Sequence, residues 1–94
     1  MLKAYVTGWR MREGAEIMDY FFGSKREDAA FWDTREKAED DCVNYDNLPI
    51  TITSPEGRTH VCGGFTVEER APNEFVVFCM IPFKGVARGQ GTRP

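Results

Sequence analysis

Cys42, His60, Cys62 and Cys79 are the side chains of this chain that could ligate a soft metal or carry a nucleophilic step. A zinc site would need thiolates and imidazole converging within about 2.0–2.3 Å of the ion. The compact two-residue-gap cysteine spacing of zinc modules is absent. His60 and Cys62 stand two apart in an extended-looking segment, so they share one strand face about 6.5–7 Å apart along the backbone. That makes His60 and Cys62 the candidate reactive pair, with the imidazole as base for the thiol.

Strand alternation argues against a four-ligand cluster. Pairing Thr53 with Arg58 and Arg70 with Glu74 places Cys79 on the core face and Cys62 on the opposite face. Cys42 lies on a helical stripe aimed at the core. The ligands are therefore expected to divide between two sides of a sheet, unless a bulge at Gly63-Gly64 turns Cys62 over. No metal site and no cofactor site is expected.

Other constellations are weaker. Asp40-Asp41, Glu68-Glu69 and Glu27-Asp28 are adjacent carboxylates, but consecutive helical residues diverge by about 100°, so adjacency is not convergence. Gly63-Gly64 and Gly89-Gln90-Gly91 lack the strand-to-helix setting and the Lys and Ser/Thr of a phosphate loop. Tyr5, Trp9, Tyr20 and Phe22 resemble a base-stacking row, yet Arg10 is the basic residue among them and it falls on the opposite face, so core packing is the better reading.

The elements that position these residues follow from periodicity. Residues 4–11 and 17–22 alternate with period two around Arg12-Glu13-Gly14-Ala15, which predicts a hairpin. Setting Met11 opposite Glu16 puts Trp9 opposite Met18 and Val6 opposite Phe21. Ser24 with Glu27, and Asp33 with Glu36, are two capping-box signals. The second opens a helix over Thr34 to Asn47, with an apolar stripe of Ala38, Cys42, Tyr45 and Leu48. Ala29 to Trp32 reads as extended. Ile50–Thr53 and a returning strand flank a type I turn at Ser54-Pro55-Glu56-Gly57. After the turn at Ala71-Pro72-Asn73, residues 75–81 form a strand apolar on both faces.

The expected fold is α+β: a single helix packed on a mostly antiparallel sheet of about five strands, in the order β-β-α-β-β-β. Residues 1–83 make one domain, and 84–94 are expected to be a flexible basic tail.

Totals bound the function. A hydrophobic fraction of 41% with 13% aromatics is globular, not disordered. Net charge is −3, but Lys84, Arg88 and Arg93 all lie in the last eleven residues, leaving 9 basic against 15 acidic residues in the body. So acidic a body disfavours nucleic acid as a partner. There is no apolar run near the ~20 residues of a membrane span and no secretory-type start. Three cysteines cannot all pair, so reduced thiols and a cytoplasmic setting are expected.

One surface stands out. If Phe75, Val77, Cys79 and Ile81 pack under the helix, Val76, Phe78 and Met80 emerge on an uncovered face beside Thr66 and Glu68. Large apolar side chains grouped on an open sheet mark a docking or self-association site. The expectation is a non-enzymatic protein-interaction module whose partner is another protein or a second copy. The alternatives are a small enzyme or metal-binding protein using His60 and Cys62, and a nucleic-acid-binding accessory protein.

Overall fold

A computed structural model describes the backbone of residues 2–11, 17–46, 50–85 and 88–92, and the side chains of 2–9, 21–42 and 50–85. The chain runs β1 (Leu2–Met11), β2 (Ile17–Gly23), a 3-10 turn (Arg26–Asp28), α1 (Arg35–Asp46), β3 (Ile50–Thr53), β4 (Thr59–Val61), β5 (Thr66–Ala71), β6 (Glu74–Ile81) and β7 (Arg88–Thr92). The strands form one antiparallel sheet in the order β4-β3-β7-β2-β1-β6-β5. With one helix packed against it, the architecture is α+β as expected, but with seven strands in place of about five.

Connectivity forces this sheet to curl. Laid flat, the six intervals from β4 to β5 would span roughly 29 Å at ~4.8 Å each. The connection from Val61 to Thr66 has five residue steps and reaches at most about 18 Å. The two edge strands can be joined only if the sheet wraps into an open trough. Residues 62–65 form the strap across that trough, and Gly64, at φ +76°, supplies a backbone turn that a side-chain-bearing residue adopts with strain.

The core fills the concave side. Ala4 and Val6 of β1, Phe22 of β2, Ile50 and Ile52 of β3, and Val77, Cys79 and Ile81 of β6 are all buried there. Ala38 and Cys42 of α1 and Phe65 of the strap close it from above. The Phe65 ring stacks on Phe22 with centroids 6.3 Å apart. Two members of the expected helical stripe therefore pack as foreseen, while the side chains of Tyr45 and Leu48 lie outside the described residues. The cap is Thr34: its hydroxyl accepts from the Lys37 N–H at 3.2 Å, while Asp33 pairs with the Lys37 ammonium at 2.9 Å.

Registers show where alternation succeeds. In β5–β6, Thr66 faces Phe78 and Glu69 faces Phe75, in the register that puts Cys79 opposite Phe65. In β3–β4 the register differs by one residue: Ile52 faces His60 and Thr51 faces Val61. The cause is the turn. Ser54 C=O accepts from Gly57 N–H at 3.0 Å, as a type I turn requires, but Gly57 takes φ +85° and the Ser54 N–H then pairs with Arg58 C=O at 2.7 Å. A type I turn followed by a left-handed glycine is a three-residue loop, which moves the partner by one and swaps the faces of β4. In β1–β2, Met11 faces Met18 and Trp9 faces Tyr20, two residues from the expected register, and a bulge between Val6 and Gly8 then sets Val6 opposite Phe22. The turn expected at 12–15 lies outside the described residues.

The largest correction is at the C-terminus. Residues 88–92, expected within a flexible tail, form β7 between β2 and β3. Gly89 and Gly91 share register with Ile52 and Ile50, so the strand's core-facing positions carry no side chain and leave no apolar alternation to read. The domain thus reaches beyond residue 83.

Candidate functional site

The register change in β4 decides the fate of the thiols. Because Ile50 and Ile52 face the core, their neighbours across the ladder face it too: His60 opposite Ile52, and Cys62, whose N–H donates to the Ile50 carbonyl at 2.8 Å. Val61 points outward and is exposed. Cys62, expected on the side away from Cys79, therefore lies against it, Sγ to Sγ at 2.9 Å. Cys79 is fully buried in β6, and Cys62 is half-buried at the start of the strap. The contact with Cys62, and then burial, push the Cys79 thiol above its ordinary range.

His60 is not what meets the Cys62 sulfur. Its ring approaches Phe83 edge-on, with centroids 6.4 Å apart. Cys42 is buried in the same core as Cys79. Among the described residues, no three of His, Cys, Asp and Glu are grouped as metal ligands. The structure thus places Cys62 against Cys79, where the sequence pairs it with His60.

The candidate docking row on β6 is divided. Val76 is 0% and Phe78 8% exposed, packed with Tyr5 and Ala29 in a second small core on the convex side. The cover is the segment after β2. Past Tyr5, β1 leaves β6, and residues 30–32 enter the gap. Ala30 N–H donates to Val6 C=O at 3.0 Å, and Trp32 exchanges two 2.9 Å hydrogen bonds with Phe75. Ala29–Trp32 is accordingly extended, as the sequence indicates. Met80 is 39% exposed and Thr66 is exposed.

Glu68, the remaining member of the row, is held in a charged cluster. Its Oε2 takes Lys3 Nζ at 2.6 Å, and its Oε1 takes Arg26 Nε at 3.1 Å and the Tyr5 hydroxyl at 3.3 Å. The Lys3 hydrogen bond is the main cause holding the Glu68 carboxyl below its usual range, and the same bond raises Lys3. Burial pushes the Tyr5 phenol up. A carboxylate with three donors is fixed in its ionised form, which suits a structural anchor and not proton transfer. Lys3 Nζ also sits 4.5 Å from the centroid of the Phe78 ring, completing the lid over that side chain.

Alternation does not reveal one further feature. Trp9 of β1 stacks on Trp32, with centroids 5.9 Å apart and planes 12° apart, while Trp9 stays 47% exposed. Beside it the Arg35 guanidinium lies 5.2 Å from the Phe75 ring centroid, and Trp32 and Phe75 both pack against the main core. The result is an aromatic ledge at the rim of the trough, next to the start of α1. The signal available in the sequence is the pair of tryptophans itself, in a chain with two.

No family model matches this chain, and no curated protein or solved structure shows significant similarity to it. Among the described residues no helix is long and apolar enough to cross a membrane.

Proposed function

We propose that this chain is a non-enzymatic protein-interaction module of a reducing, cytoplasmic-type compartment, docking through the Trp9–Trp32 ledge. The observation that carries this reading is the half-exposed Trp9 ring held parallel to a second tryptophan that is itself anchored to the core. A large ring fixed before binding loses little conformational freedom on association, and tryptophan and arginine dominate the energetically important positions of interfaces. The reading replaces the face built on Val76, Phe78, Met80, Thr66 and Glu68, where two apolar members are buried in the fold and Glu68 is bound by Lys3, Arg26 and Tyr5.

A second copy of the chain is the first partner to test. Sedimentation of the wild type over a wide concentration range should show reversible association, and Trp9→Glu should remain monomeric with unchanged circular dichroism. A wild type that stays monomeric, and whose Trp9 fluorescence responds to no partner, would remove the support for this reading.

A second reading, a thiol-dependent protein acting through Cys62, is favoured by the contact between Cys62 and Cys79. Elemental analysis of protein purified without chelator, together with thiol titration, separates metal binding from thiol chemistry.

A further inference from the structure

We infer that Cys62 and Cys79 form a reversible intramolecular disulfide, made by exchange with a small-molecule disulfide, that latches the strap at residues 62–65 onto β6. This inference is independent of the Trp9 reading.

The geometry is the main support. The two sulfurs lie 2.9 Å apart, within about 1 Å of the ~2.05 Å of a formed bond. They come from segments far apart along the sheet, brought together because the sheet curls and the strap crosses its open side. Little rearrangement separates the dithiol from the disulfide. The strap begins at Cys62 and continues through Gly63 and Gly64. A Cβ added at either glycine would meet nothing within 4 Å, so the segment has room to make the small adjustment needed.

Exposure assigns the roles. Cys62 is half-buried whereas Cys79 is fully buried, so Cys62 is the thiol that meets a small disulfide first. In the first step the Cys62 thiolate attacks one sulfur of glutathione disulfide, forming a mixed disulfide and releasing one glutathione thiolate, which takes up the proton Cys62 gave. In the second step Cys79 loses its proton and attacks Cys62 Sγ, displacing the other glutathione as a thiol. The protein gives up two electrons and two protons, and one glutathione disulfide becomes two glutathione thiols. Burial favours the protonated Cys79 thiol, so the second step accelerates as pH rises.

The bridge would close a loop between residues 17 apart in sequence and restrain the unfolded chain accordingly. In a domain of this size the thermal midpoint should rise on the order of 10 °C on oxidation. The oxidised form fixes the strap over the core, and the reduced form leaves that closure to packing by Phe65 on Phe22.

The test equilibrates the full chain in buffers of stepped glutathione to glutathione-disulfide ratio, then caps free thiols in denaturant and maps the peptides by mass. The expected result is three capped cysteines at the reducing end and one, Cys42, at the oxidising end, with Cys62 and Cys79 in one linked peptide. Cys79→Ser should trap glutathione on Cys62. Should that variant fail to fold, Cys62→Ser, at the more exposed position, should abolish both the bridge and the rise in midpoint. Three capped cysteines across the whole range, a bridge that includes Cys42, or an oxidised form no more stable than the reduced one would overturn the inference.

Discussion

Arg26 and Arg70 each donate to the other's backbone carbonyl. Arg26 Nη2 reaches the Arg70 oxygen at 3.1 Å, and Arg70 Nη1 reaches the Arg26 oxygen at 3.1 Å. Arg70 also donates to the carbonyl of Ala29 at 3.0 Å, pairs with Glu74 and lies 5.3 Å from the Phe31 ring centroid. Arg26 donates in addition to the Glu69 carbonyl at 3.2 Å and pairs with Glu68. This reciprocal clasp fastens the segment after β2 to edge strand β5 and thereby keeps the lid over Val76 and Phe78.

Arg70 is the more critical half of the clasp, because its side chain is 16% exposed against 46% for Arg26. Arg70→Met should lower unfolding free energy by about 2–4 kcal/mol, since several carbonyls and the Glu74 carboxylate lose their donor. Arg26→Met should lose about 0.5–1 kcal/mol, in line with an exposed pair. Arg70→Lys should restore little, because an ammonium cannot serve carbonyl and carboxylate in the planar fork that guanidinium provides. Urea unfolding of the three variants checks the order.

Phe78 and Met80 lie on one strand face and should respond oppositely to the same change. Phe78→Ala, at a buried position, should lose about 3–4 kcal/mol, while Met80→Ala should fall within about 0.5 kcal/mol of the wild type. Phe78→Glu should not fold. A stable, folded Phe78→Glu would mean that the segment after β2 does not cover β6.

Acid should weaken the fold partly through Glu68. Its folded-state value lies below the ordinary 4.5, so the unfolded chain binds more protons as pH falls past that point. Its contribution is therefore complete at neutral pH and lost as pH falls through the folded value. Lys3 is raised above 10.5, so its contribution is complete below that pH and lost as pH rises through its folded value. Glu68→Gln should flatten the stability profile at both ends, which denaturation curves at stepped pH will show.

A chain ending at Gly85 tests β7. Its removal leaves β2 and β3 without the strand between them and separates the β3–β4 hairpin from the rest of the sheet. Thermal unfolding followed by near-ultraviolet circular dichroism should lose its cooperative transition. Retention of the full-length midpoint would show that β7 contributes nothing to the domain.

Local periodicity carried much of this fold. The two-sided apolar run at 75–81 marked β6 as a strand but put its second row of side chains on an open face, whereas the structure buries Val76 and Phe78 of that row under the segment after β2. Ala38 and Cys42, four apart, marked the buried side of α1, and the expected β5–β6 register holds over Thr66–Glu69, although at the turn Ala71 faces Glu74 and a bulge between Glu69 and Ala71 makes up the difference. In β3–β4, where the pattern failed, a single residue decided the outcome. Gly57 in the left-handed region moved the β3–β4 register by one and carried His60 and Cys62 from one side of the sheet to the other.

By itself the sequence determined which segments alternate and where the helix starts, because each depends on residues near one another in the chain. Tertiary structure alone decided the rest: a glycine-bearing strand placed between β2 and β3, a sheet curled by its short strap, and Cys62 brought onto Cys79. Those outcomes depend on which distant segments share a ladder, and hydrogen bonds between backbones leave no mark on the side-chain pattern.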